Sequence, residues 1–399
     1  MIMDYIFEGL TTVIDGNEIK GLKTPCYVID EKKLLHNAEV LSSVMSRTGC
    51  KILLAQKAFS NYDFYPLLSG YLSGTEASGL FEARLGKEKM PEGEVHVFCA
   101  AYRDDEFDEL LDYADHIVFN SIHQLAKFGW LSKQNGKSIG LRINPECSTQ
   151  EGHEIYDPCA PGSRLGVTRE VWDKEMTPEL LSLLDGLHFH TLCEQNSDAL
   201  EITLKAVEEK FGDVLPSMKW LNMGGGHHIT KPDYDIERLE KSIVYAKDKW
   251  GVEVYLEPGE AVALNAGYFM TRILDIVENN GIKIAILDSS AACHMPDVIE
   301  MPYTPPLLHA ASDDTKEYKY KLAGPTCLSG DVIGDYSFDH ELEAGDMLIF
   351  GDMAIYTTCK NNTFNGMPLP DIYRLKSDGV FEKLTEFGYS DFRDRLGRS

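Results

Sequence analysis

Eight short apolar runs separated by helix-length segments constrain this chain more than any other feature. The runs are Lys51–Lys57, Tyr71–Gly74, Val95–Ala101, His116–Asn120, Ser138–Asn144, Leu187–Thr191, Met218–Met223 and Val252–Glu257. The segments between them predict helices over Asn61–Leu68, Ala77–Lys87, Asp104–Tyr113, Ser121–Lys133, Asp198–Phe211 and Tyr234–Lys249, with Ser121 as an N-cap. Parallel strands need a crossover between them, usually a helix, so this alternation predicts a parallel sheet. Eight units of this kind predict an α/β fold, a (β/α)8 TIM barrel over residues 31–265. The fifth run is followed by a polar stretch, Pro145–Arg169, long enough to suggest a functional or mobile loop.

After about residue 265 the pattern changes. Strand-like runs follow one another without long helices: Phe269–Glu278, Ile282–Asp288, Tyr318–Leu322, Met347–Phe350, Asp371–Lys376 and Val380–Leu384. This predicts a second, mainly antiparallel β domain. Pro25–Asp30 reads as extended and Glu31–Ser46 as helical. The β domain is therefore expected to be discontinuous, residues 1–30 with 266–399.

Charge and composition exclude several function classes. The formal charge is 38 − 64 = −26, which disfavours nucleic acid and suits a cationic ligand. No run of 18 apolar residues suggests a membrane span. The opening residues lack a basic, then apolar, signal-like pattern. The nine cysteines are scattered with no CxxC spacing, which fits a reducing cytoplasm better than a disulfide framework.

The residues with chemistry fall at the C-terminal ends of the barrel runs: Lys57, Arg142, His190, Gly224-Gly225-Gly226 and Glu257. That rim is where barrel enzymes build their sites. Lys57, flanked by apolar residues, is a candidate nucleophile toward an aldehyde, although alone it reads as a surface lysine. The three glycines allow close backbone approach to an anion, although alone they read as a turn. His188 and His190 fall on one side by strand alternation, but nothing completes a metal site, so no metal is expected. His190 suits a ring lying on a flat cofactor. A carboxylate such as Glu257 beside a pyridine nitrogen would keep that nitrogen protonated, making the ring an electron sink. Cys327 and Asp331 lie in the polar loop AGPTCLSGD, where a thiol could donate a proton or simply pack.

Together the lysine, HFH, GGG, EPG and GPTC–GD, in that order, resemble the fold-type III pyridoxal-phosphate decarboxylases. Those enzymes act on diaminopimelate, ornithine or arginine and have an alanine racemase-like barrel. Within the group, AQKAFS, SRLGV, HFHTLCEQ, NMGGGHH, LEPGEA, CHMPDVIEMPY, GPTCLSGDV and GDMAIYT look like the carboxynorspermidine/carboxyspermidine decarboxylase family. The resemblance implies pyridoxal 5'-phosphate bound through Lys57, with His190 on the ring and Glu257 at the pyridine nitrogen. It implies that Gly224, Gly225, Gly226 and Tyr356 hold the phosphate, that Arg142 is a further cofactor-binding residue, and that Cys327, as a catalytic residue, and Asp331, as a substrate-binding one, serve the other subunit of a homodimer. Many relatives have EPGR where this chain has Glu260, and the run His294–Glu300 lacks the arginine that diaminopimelate enzymes use. Glu260 and Asp297 therefore suit a cationic carboxypolyamine substrate. The alternatives are a diaminopimelate or ornithine/arginine-type decarboxylase, a racemase, a non-catalytic carrier of the cofactor, or a cofactor-free structural protein.

Overall fold

The computed structural model describes residues 6, 7, 10, 19, 22–150 and 157–397. The chain divides into two compact units, one over Leu35–Val262 and the other combining the residues up to Leu34 with Ala263 onward.

The first unit is a closed barrel of eight parallel strands: β2 Lys51–Ala55, β3 Gly74–Ala77, β4 Glu94–Phe98, β5 His116–Phe119, β6 Ser138–Arg142, β7 Gly186–His188, β8 Trp220–Asn222 and β9 Glu253–Leu256. β9 closes on β2 through Lys51–Tyr255 and Ile52–Leu256. Leu53, Val118, Trp220 and Tyr255 pack together in a buried cluster. Helices follow most strands, as the alternation predicts. Ser121 accepts from the Gln124 N–H and caps Ile122–Gln134, while Asp235 caps Ile236–Trp250 in the same way.

One strand lies elsewhere than expected. The second barrel strand is Gly74–Ala77, not Tyr71–Gly74. Its residues Thr75 and Glu76 are buried but polar, so a search for apolar runs selects the turn before it. The other strands stop one to three residues short of the predicted runs, leaving Lys57, His190, the glycine run and Glu257 in the turns beyond them, while Arg142 is the last residue of β6. Of the long loop after β6, residues 151–156 lie outside the described set. The part after them is tied to the barrel: Asn120 Nδ2 donates to Arg164 O, and the Gly166 N–H donates to Asn120 Oδ1.

The second unit is built on a mainly antiparallel sheet. Its strands are β1 Cys26–Asp30, β10 Gly267–Asn279, β11 Ile282–Leu287, β12 Ala310–Ala311, β13 Tyr318–Ala323, β14 Val332–Phe338, β15 Met347–Gly351, β16 Asp371–Leu375 and β17 Phe381–Thr385. The order is β12-β14-β13-β11-β10-β1-β16-β17, with β15 also on β10. β1 is fully buried, antiparallel to β10 and parallel to β16. β14 was not expected, because Gly334 and Asp335 interrupt its apolar character. Among the described residues, no helix is long and apolar enough to cross a membrane.

Candidate active site

Three neighbouring strand ends converge on one carboxylate. Glu257 follows β9 directly and is 4% exposed. Its Oε1 accepts from Asn222 Nδ2 at 2.5 Å, and its Oε2 lies 3.1 Å from His188 Nε2. Asn222 ends β8 and His188 ends β7, and the two are paired in register. Burial alone would raise the Glu257 carboxyl, but His188 and then His96 and Asn222 outweigh it, and it is held below its ordinary value. Burial pushes the His188 imidazole down despite Glu257. The pair is therefore a carboxylate accepting from the Nε2–H of a neutral imidazole, which leaves His188 Nδ1 buried without a partner.

Glu76, on β3, is the residue that sequence reasoning missed. Burial, and next the charge on Glu257, push its carboxyl up to about 8. Two buried carboxyls cannot both ionise cheaply, so Glu257 carries the charge and Glu76 the proton. The missed signal was a glutamate near the end of the strand next to the one that leads to Lys57. Lys57 lies half-buried in the turn after β2. Its charge acts on Glu76, Glu82, His188 and His190, which sets it among the rim residues.

The glycine run is shaped by backbone contact. Gly224 and Gly226 have left-handed φ of +68° and +81°. A Cβ on Gly225 would sit 2.4 Å from Glu257 O, and one on Gly226 would sit 2.0 Å from Leu192 O. Two of the three N–H groups are used internally: Gly224 N donates to Asn222 Oδ1 and Gly225 N donates to His190 Nδ1, at 2.9 and 3.0 Å. The expected cradle is thus narrower than three free donors. The bond from Gly225 also fixes the His190 tautomer. Burial and the charges of Lys57 and Arg142 hold His190 well below its ordinary value, so it is neutral with its proton on Nε2. β7 stops at His188, so the strand alternation that put His190 on the same side as His188 does not apply. The two rings have different partners.

Arg142, buried at the end of β6, donates to His190 O at 2.9 Å and lies over the Phe98 ring at 4.6 Å. It acts on the backbone of His190. Glu260 opens a short helix, Glu260–Ala263, and its Oε2 lies 2.5 Å from Nε2 of His228 in the glycine loop.

The remaining candidates belong to the second unit. Asp297 opens the short helix Asp297–Glu300, and Lys360 pairs with both Asp297 and Glu300. The run lacks an arginine, yet the fold brings it a cation. Cys327 is exposed, and its N–H donates to Asn365 Oδ1. Asp331 is buried, accepting from Ser290 Oγ and Ala292 N on one oxygen and from Thr326 Oγ1 on the other. Tyr356 is half-buried with a left-handed φ of +52°, uncommon for a bulky residue.

A separate cluster, Glu94, His96 and His116, has ligand-like spacing at the N-terminal end of the barrel. The two imidazoles are stacked within 11° of parallel, with centroids 3.9 Å apart. Imidazole lone pairs lie in the ring plane, so rings stacked this way cannot share one ion. Glu94 instead pairs with Lys51 at 2.6 Å.

Comparison with known proteins adds the context. The family described as pyridoxal-dependent decarboxylase, C-terminal sheet domain, matches residues 26–354. The carboxynorspermidine/carboxyspermidine decarboxylase of Campylobacter jejuni is 44% identical over 382 residues, covering 93% of this chain and 98% of the relative. The carboxyaminopropylagmatine decarboxylase of a Synechocystis species is 38% identical, over 96% and 98%. The crystal structure of carboxynorspermidine decarboxylase from Campylobacter jejuni, complexed with norspermidine, superposes with a TM-score of 0.86 at 43% identity, covering 94% of this chain and all of that one.

Proposed function

The chain belongs to the pyridoxal-dependent decarboxylase family, and from that premise we propose that it removes the α-carboxylate of carboxynorspermidine or carboxyspermidine, releasing norspermidine or spermidine. The observation that carries the chemistry is the buried, anionic Glu257 set among neutral imidazoles on the rim that bears Lys57. Carboxyaminopropylagmatine is a second reading. It also has a cationic end, and the Synechocystis relative that acts on it is 38% identical.

The residues present fit pyridoxal 5'-phosphate. A glycine loop with no room for Cβ atoms borders the rim, and the buried Glu257 carboxylate offers an anion with which a pyridinium could pair. Lys57 would bind the cofactor through its aldehyde carbon, and the glycine loop with Tyr356 would hold the phosphate. Bound there, pyridoxal phosphate would accept the electrons freed when carbon dioxide leaves. Glu257 would keep negative charge beside the ring nitrogen, and Asn222 and His188 hold its carboxylate in place. His190, locked by Gly225 and Arg142, would offer the ring a flat neutral face and add no positive charge beside it. Cys327 of a second copy would protonate the α carbon, and Asp331 braces the loop that carries it. Glu260 would meet an ammonium group of the substrate, and the same role is proposed for Asp297, whose carboxylate also carries Lys360. We place the enzyme in the cytoplasm, as a homodimer with shared sites.

Steady-state rates with carboxynorspermidine, carboxyspermidine, carboxyaminopropylagmatine and meso-diaminopimelate test the reading. The two carboxypolyamines are expected to be the best substrates. Preference for diaminopimelate would overturn the reading.

A further inference from the structure

We infer that His228 is a positioning residue for substrate specificity: it holds one oxygen of Glu260 so that the other faces the polyamine chain. The inference rests on the proposed reading of Glu260 as an amine-binding carboxylate. A glutamate at the first position of a four-residue helix has little of its own element to hold it. Glu260 is nonetheless fixed, with Oε2 at 2.5 Å from His228 Nε2 and both side chains largely buried.

The loop that carries His228 is itself tied to the Glu260 segment. Glu257 N donates to Gly224 O, and Thr230 Oγ1 donates to Ala261 O at 2.7 Å. The distance between the loop and the helix is therefore set on both sides of the His228–Glu260 contact. The segment that carries Glu260 also packs against the turn that bears the lysine: a Cβ on Gly259 would sit 2.6 Å from Cβ of Ala58, the residue after Lys57. The Cys193 thiol, pushed up to about 12 chiefly by burial, feels the charges of both Glu260 and Lys57. Glu260 thus lies within electrostatic reach of the rim that bears the lysine.

The pairing uses one carboxylate oxygen, and Oε1 makes no hydrogen bond with any of the described residues. A carboxylate has acceptor capacity for more than one donor, so an ammonium group can take the second oxygen while His228 keeps the first. Holding the rotamer before binding removes part of the ordering cost that a flexible, cationic substrate would otherwise add. His228 touches neither the reacting carbon nor the cofactor in this account. Its contribution is to substrate affinity.

The test compares His228→Ala and His228→Gln holoenzymes with wild type, using norspermidine as the titrated ligand in calorimetry. The alanine variant should bind norspermidine about ten-fold more weakly, from loss of a hydrogen bond to a charged group. Its KM for the carboxypolyamine should rise by a similar factor with kcat within about two-fold. The glutamine variant, whose amide N–H can replace Nε2–H, should recover most of the affinity. Should alanine leave an unstable protein, His228→Leu provides the donor-free comparison. Unchanged norspermidine affinity in the donor-free variant overturns the inference, as does failure of glutamine to rescue it. Loss of bound cofactor with unchanged norspermidine affinity would assign His228 to the cofactor instead. If wild-type holoenzyme itself ignores norspermidine, the proposed substrate class has failed, an outcome distinct from a failure of His228 alone.

Discussion

His188 Nε2 lies 3.1 Å from Glu257 Oε2, with the two side chains projecting from the ends of β7 and β9 on either side of β8. The contact joins two groups whose separate tendencies on burial are both toward neutrality. Burial wins at the imidazole, and the imidazole together with Asn222 wins at the carboxylate. A fixed negative charge therefore survives in the interior, where its effect on a nearby cation is little screened.

Replacing that charge while keeping its shape should cost catalysis more than binding. Glu257→Gln is expected to lower kcat by about 10²–10³, the range seen when a preorganised electrostatic group is removed. KM should change much less. The ratio of kcat between wild type and variant, measured at saturating substrate, is the check; a drop below about ten-fold would remove Glu257 from the ring-nitrogen role.

Lys57→Ala should abolish the visible absorbance of lysine-bound cofactor and the labelling trapped by borohydride. Peptide mapping after reduction locates the attachment in the wild-type chain. Label found on a lysine other than Lys57 would overturn the assignment.

The buried imidazoles predict loss of stability in acid. His116 is held down to about 3, His227 and His294 to about 4, and His188 and His190 are also lowered, with burial the largest cause in each. The unfolded chain takes up these protons near pH 6.5, whereas the folded chain does not until much lower pH. Stability present above pH 6.5 is therefore lost as the pH falls toward 4. Glu76 acts in the opposite direction: its raised carboxyl, at about 8, favours the folded state as the pH falls from 8 to 4.5. Asp30 and Glu82 are raised as well. Five imidazoles outweigh three carboxyls, so Tm should fall between pH 6.5 and 4.5. His227→Gln should flatten that fall, and a Tm independent of pH over this range would contradict the account.

The proposed sharing of sites between two subunits is tested with mixed subunits. Lys57→Ala and Cys327→Ala proteins should each be inactive alone. After random exchange, half of the dimers carry one intact site of two, so about a quarter of wild-type activity should return. No recovery after demonstrated exchange would mean that each chain builds its own site.

The barrel was legible because its strands are buried on both faces and read as apolar runs, and because helices must intervene between parallel strands. β3 escaped this reading because Thr75 and Glu76 are buried although polar. Glu257, His190 and the glycine run stand out by residue type at strand ends. Their partnerships do not. Nothing in a linear reading shows that Gly225 spends its N–H on His190, that His228 holds Glu260, or that Lys360 meets Asp297. Such pairs depend on registers and turn geometries that residues distant in sequence settle together.

β1 lies between β10 and β16, with Cys26 opposite Met270 on one side and Asp371 on the other. During synthesis this strand leaves the ribosome before any of the barrel, yet its last neighbour is made almost at the end of the chain. A fully buried strand must therefore wait through the making of all eight barrel strands with both of its hydrogen-bonding edges unpaired. Such an edge can recruit the wrong strand, including the same segment of a neighbouring nascent chain. The barrel can close as soon as β9 is made. The sheet domain cannot, so its completion is the slow and aggregation-exposed step in the birth of this enzyme.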